Sequence, residues 1–199
     1  MILEQYINEN IGDPLRAAGI GYIGGIVRPM KLNIGGKVKT VPGWKKYDRT
    51  GDDCKPEEVI PMEPNESQGA VLYFEHVSDQ YGYKSSAGQL IKSTLRLIYW
   101  YDSRRYVEAV EADILRRLMD IVNRAEIGTI NDQFKVLRVT PGEIIPSGAN
   151  LFYQYTYDEA ETQYLMPPFE VIAFNMHIDW ILLKLPCNVR ADFNRKPVC

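Results

Sequence analysis

The sequence predicts an α+β protein: a mainly antiparallel sheet of about four core strands, packed by one long amphipathic helix, with extended hairpin arms. Three observations predict it. Residues 169–183 alternate with period two, placing Ile172, Phe174, Met176, Ile178, Trp180 and Leu182 on one face and Asn175, His177 and Asp179 on the other. Residues 103–125 carry an apolar stripe at helical spacing: Val107, Val110, Ile114, Leu118 and Ile121, widened by Leu115 and Val122. Between the two ends, proline- and glycine-punctuated stretches with little apolar face of their own read as arms. The 199 residues, 45% hydrophobic, suffice for one sizeable core and exclude disorder throughout. A net charge of −3 argues against a phosphate-coating role. No apolar run approaches the roughly 18 residues of a membrane span. Met1–Asn10 lacks the basic start and apolar core of a secretory signal.

Residues 2–10 read as a short helix, with Ile2, Leu3, Tyr6 and Ile7 at helical spacing and Gly12 and Pro14 closing it. A second turn is expected over Pro14–Ala18. Gly19-Ile20-Gly21-Tyr22-Ile23-Gly24 matches a dinucleotide fingerprint in letters, but a helix precedes it and Arg28-Pro29 follows, the reverse of the strand-then-helix context that binding needs. Close backbone packing or a bent strand is the expectation there.

Residues 30–41 form a hairpin by pattern, Leu32 and Ile34 facing Val38 and Val41 across the Gly35-Gly36 turn. Residues 42–69 are expected to be irregular, broken by Pro42, Pro56, Pro61 and Pro64. Arg28–Asp48 holds six basic residues and one acid, while Arg49–Gln68 holds six acids and two bases. Such a split suits a solvated loop, or an arm whose ends meet oppositely charged neighbours. Strands follow at 70–77 and 93–101, separated by a loop at Gly82–Gly88. The run Leu95, Leu97, Ile98, Tyr99, Trp100 suits a strand covered on both faces. Asp102-Ser103 caps the long helix and Gly128 marks its end. Phe134–Thr140 is a third core strand, 151–166 an aromatic hairpin, and Pro186–Cys199 an irregular basic tail. These segments divide the chain into 1–27, 28–69, 70–185 and 186–199.

Evidence for chemistry is sparse. Cys54, Cys187 and Cys199 are odd in number and widely spaced, which fits free thiols in a reducing cytoplasm rather than a disulfide framework or zinc site. Asn175, His177 and Asp179 lie about 7 Å apart along one strand face, yet no nucleophile motif or third metal ligand accompanies them. His76 also falls within a strand. Asp52-Asp53 and Glu57-Glu58 read as solvated charge. The helical arginines interleave with Glu108, Glu111, Asp113 and Asp120, the pattern of local ion pairs. No catalytic, cofactor-binding or metal residue is assigned. The tyrosines, 13 in all, are the more informative feature, because tyrosine is enriched at interfaces. Trp44, Tyr47, Tyr81, Tyr83, Phe152, Tyr153, Tyr155, Tyr157 and Tyr164 are the candidate interface residues.

The order of elements resembles the tail-terminator and tail-completion proteins of tailed bacteriophages, among the head–tail connectors of the phage neck. Three segments carry the likeness: the opening Ile2-Leu3-Glu4-Gln5-Tyr6-Ile7 helix, the unit Leu95–Tyr101 running into Arg105–Val122, and the strand Phe169–Leu183. Together they cover about half the chain. The region 28–69 and the hairpin 151–166 are longer than such proteins usually carry. The resemblance implies a non-catalytic structural protein of the virion, assembled in the host bacterial cytoplasm. It implies a homo-oligomeric ring, with other neck, tail or portal proteins as partners, non-specific proximity to DNA, and neither cofactor nor membrane. The rival reading is a small cytoplasmic enzyme or ligand-binding protein with a pocket near His177 and Asp179. A third is nucleic-acid binding through residues 184–196, which predicts steep salt dependence.

Overall fold

The computed structural model describes residues 2–19, 22–46, 58–63, 69–105, 111–131, 134–146, 150–156 and 168–183. Eight strands form one curled sheet: β1 (Tyr22–Ile34), β2 (Lys37–Lys46), β3 (Glu58–Pro61), β4 (Ala70–Lys84), β5 (Gly88–Asp102), β6 (Gly128–Asn131), β7 (Phe134–Ile145) and β8 (Phe169–Leu183). Their order is β3-β2-β1-β4-β5-β8-β7-β6. Every neighbouring pair is antiparallel except β1 and β4, which run parallel. The helical elements are α1 (Ile2–Ile7), a π-helical turn at Asn8–Gly12, α2 (Asp13–Ala17) and α3 (Glu111–Asn123).

The expectation of about four core strands packed by one long helix is overturned: the chain is mostly sheet, mixed in direction and twice as many-stranded. The reason lies in the outer strand halves. From Val77 to Lys84 both faces of β4 are exposed, so nothing imposes an apolar alternation on its sequence. Backbone pairing with β5 continues there regardless, and the expected loop at Gly82–Gly88 shrinks to Ser85–Ala87. The helix is also shorter. Val107 and Val110 of its expected stripe lie outside the described residues, and Ser103–Arg105 make a 3₁₀ turn. α3 ends at Asn123, and Gly128 opens β6 instead of closing the helix. Of the expected aromatic hairpin only the first part is described. Residues 151–156 are turns and a bend, while 157–167 lie outside the described residues.

Two apolar layers hold the sheet between them. On one face α1, the π turn and α2 bury Leu3, Tyr6, Ile7, Ile11 and Leu15, and α3 buries Ile114, Leu118 and Val122. They cover Leu72 and Phe74 of β4, Leu95, Leu97 and Tyr99 of β5, and Ile172, Phe174, Met176 and Ile178 of β8. The period-two reading of β8 holds from Ile172 to Ile178, with His177 exposed on the opposite face; beyond it Trp180 is half-buried and Leu182 exposed. The Tyr6 hydroxyl donates to the Glu126 carbonyl at 2.7 Å and ties α1 to the segment after α3. The other face buries Trp44, Met62, Tyr73, Ile98, Trp100 and Leu151. Ile98, Tyr99 and Trp100 in succession are inaccessible, as a strand covered on both faces requires.

Gly35 and Gly36 both have positive φ (59° and 80°), as the turn between β1 and β2 demands. Gly24 and Gly25 serve a different purpose. The β1–β4 register shifts between Ile23 and Ile26, so the strand bends at this pair. A Cβ on Gly24 would lie 2.5 Å from the Met62 methyl carbon, and one on Gly25 would lie 2.4 Å from the Trp44 indole nitrogen and 2.8 Å from a Glu4 oxygen. Gly24, the last glycine of the nucleotide-like motif, and its neighbour Gly25 thus admit side chains onto the backbone. Gly25→Val is expected to destabilise the fold by about 1–3 kcal/mol through overpacking. Chemical denaturation followed by tryptophan fluorescence checks this; an unchanged midpoint would refute the packing role.

Candidate functional site

β1 and β4 are hydrogen-bonded only from Tyr22↔Val71 to Val27↔Glu75. Beyond that point β1 continues as a hairpin with β2, and β4 as a hairpin with β5. The sheet forks. Arg28–Ile34 on one prong and His76–Lys84 on the other carry no ladder partner along their facing edges among the described residues.

Two prolines explain the split. Pro29 pairs with Pro42. The Pro42 carbonyl accepts from the Met62 amide at 2.8 Å, and the Thr40 carbonyl accepts from the Thr156 amide at 2.8 Å. In an antiparallel ladder each residue directs its N–H and C=O to the same side. Thr40 and Pro42 therefore turn away from β1, and their partners Lys31 and Pro29 turn away from β2, toward β4. Pro29 has no N–H to offer there, so the β1–β4 ladder stops. A register shift in β4 between His76 and Ser78 falls at the same level.

A cavity opens at each face of the fork. On the helical face is an open trough of about 740 Å³. Leu3, Ile26, Ile91, Phe134, Trp180 and Leu182 make it largely apolar, and Arg28, His76, Asp79, Tyr81 and Ser93 bring polar groups to its wall. The Trp180 indole donates to Ser93 Oγ at 2.9 Å, and Ser93 donates to Asp79 Oδ1 at 2.6 Å. His76 Nε2 meets that same oxygen at 3.0 Å. Burial works against the Asp79 charge, but the Ser93 and His76 bonds and the His76 charge outweigh it and hold the carboxyl below its usual range. The imidazole reaches the carboxylate and not the hydroxyl, so the Ser93 proton is directed to Asp79 rather than to a base that would activate Oγ as a nucleophile.

On the opposite face is a smaller cavity of about 180 Å³, lined by Glu75, Arg96 and Tyr153–Tyr155 among others. Tyr155 donates to Glu75 Oε1 at 2.5 Å, Gln154 Nε2 to the same oxygen at 3.1 Å, and Arg96 Nη1 approaches Oε2 at 3.5 Å. Burial dominates and raises the Glu75 pKa in spite of these three partners. Arg96 Nε is buried without a hydrogen-bond partner among the described residues. A second buried acid braces β1: Trp44 Nε1 donates to Glu4 Oε1 at 2.9 Å, and burial again raises the carboxyl's pKa.

The nine candidate interface residues divide three ways. Tyr81, Tyr83 and Tyr153 are exposed, at 72%, 74% and 75%. Trp44 and Tyr155 are buried inside the chain, and Phe152 is half-buried against Trp100. The indole of Trp44 and the hydroxyl of Tyr155 are turned inward by the two buried carboxylates, Glu4 and Glu75, which composition alone does not reveal. Tyr47, Tyr157 and Tyr164 lie outside the described residues. His177 stands on the exposed face opposite the helices, 3.2 Å from Thr94 Oγ1, and neither cavity is lined by it or by Asp179. The signal that could have located the fork was Pro29 beside Pro42 across the glycine turn.

No protein-family model matches the chain, and no curated protein matches it. Among the described residues no three His, Cys, Asp or Glu side chains group closely enough for a metal ion, and no helix is long and apolar enough to cross a membrane.

Glu75 gives a pH dependence with a definite sign. A folded-state pKa above the ordinary 4.5 means its contribution is fully present below 4.5 and is lost as pH rises through the raised value. Asp79 acts oppositely: its contribution is present above the ordinary 3.8 and is lost as pH falls through its lowered value. Glu75→Gln keeps an acceptor for Tyr155 and removes the titration. Its melting temperature is expected to change less between pH 7 and pH 4.5 than that of the parent chain; parallel profiles would refute the assignment.

Proposed function

We propose that this chain is a structural protein of a tailed-phage virion that assembles as a ring in the neck or tail, its subunits joined through strand edges and protruding hairpins. The fork carries the reading. Two adjacent strand edges with backbone donors and acceptors unused among the described residues, beside exposed tyrosines and an apolar trough, form a surface suited to another extended chain. Such a contact is heterologous, since a fork meets something other than a fork, and heterologous contacts close into rings when their rotation permits. The resemblance to tail-terminator and tail-completion proteins supplies the kind of ring and its partners, the neighbouring neck, tail or portal proteins. The virion is its destination and the host bacterial cytoplasm its place of assembly.

The test is native mass across a concentration series, with negative-stain images, for the parent chain and for Lys31→Pro. The Lys31 amide faces the open edge, so proline there removes no bond within the hairpin but blocks pairing across the fork. The parent chain is expected to form closed rings of one subunit number, and Lys31→Pro to keep its circular dichroism spectrum and lose the rings. A monomer at every concentration would count against assembly. Rings unaffected by Lys31→Pro would move the contact away from the fork.

A further inference from the structure

The fork specifies what would fill it. A chain entering between β1 and β4 has ladder partners on both sides, so it must be a single strand with both edges free, not part of a hairpin. The prongs offer seven residues on β1 (Arg28–Ile34) and nine on β4 (His76–Lys84). One face of the entering strand lies on the apolar trough and the other on the polar side, near Glu75, Arg96 and the unpartnered Arg96 Nε. Its side chains must therefore alternate apolar and polar.

One segment of the sequence has that pattern and length. Cys187-Asn188-Val189-Arg190-Ala191-Asp192-Phe193-Asn194 alternates strictly for eight residues after Pro186. In a strand, Cys187, Val189, Ala191 and Phe193 would share one face. Asn188, Arg190, Asp192 and Asn194 would share the other, bringing an acid and a base to match Arg96 and Glu75. These residues lie outside the described ones.

We propose that the fork receives residues 187–194 of a neighbouring copy of this chain as an added strand. This rests on the assembly reading and names the contact that would link one subunit to the next. Reach favours a neighbour as donor. β8 ends at Leu183, with β5 and β4 between it and the fork, so a strand added beyond β4 would lie three spacings away. Three strand spacings are about 14 Å. The four Cα steps from Leu183 to Cys187 extend at most about 14 Å, which leaves no slack for the chain to turn. A neighbour's tail has no such limit.

Amide hydrogen exchange on the full chain, above and below the assembly concentration, tests this beside a Val189→Glu/Phe193→Glu double variant. Assembly is expected to slow exchange at Lys31, Asn33 and outer β4 by about tenfold or more. The double variant is expected to lose that protection together with the rings. A synthetic peptide of residues 184–199, added to the parent chain, is expected to dissolve the rings, and a scrambled peptide of the same composition to leave them intact. Rings that survive both the double variant and the peptide overturn strand donation and leave the assembly reading standing. A chain that stays monomeric at every concentration overturns the assembly reading; protected Lys31 and Asn33 amides in that monomer would show its own tail in the fork and overturn exchange between copies.

Discussion

The structure depends on a backbone donor that is missing. Pro29 faces β4 without an N–H, while its partner Pro42 directs its carbonyl to Met62 on the far side. Proline ends the ladder at Val27↔Glu75 and leaves two prongs. Both cavities and the open strand edges follow from that division.

The base of the fork is braced where the prongs part. Glu75 is the last β4 residue paired with β1, and Tyr155, Gln154 and Arg96 converge on its carboxyl. Glu4 meets the Trp44 indole over Gly25, where β1 bends. Buried carboxyls are costly unless hydrogen-bonded, and both acids here are. Their partners come from segments distant in sequence, so each acid fixes the relative placement of α1, β1, β2 and the 151–156 turn. Rigidity at the base contrasts with the exposed outer half of β4, whose backbone is held chiefly by β5.

An assembly role and an enzymatic one draw on different parts of this molecule. Asn175, His177 and Asp179 lie along one strand on a wet face, and neither cavity includes His177 or Asp179. The polar chain Trp180–Ser93–Asp79–His76 does reach the trough, but its proton order fixes the serine hydroxyl on a carboxylate. What the trough offers is apolar area continuous with two strand edges unpaired among the described residues, a combination that suits an extended polypeptide.

The sequence by itself determined the local features. The period-two face of β8, the glycine turn at 35–36, the helical start of the chain and the doubly covered run in β5 were legible, because each is set by side chains a few residues apart. The outer halves of β4 and β5 were not. Their sequence is exposed and polar, and backbone pairing leaves no mark on side-chain pattern. Trp44 and Tyr155 looked like surface aromatics because the acids that turn them inward lie 40 and 80 residues away. The fork was decided only by tertiary structure: Pro29 is visible in the chain, but which neighbour it fails to bond depends on β4 arriving beside it from more than forty residues downstream.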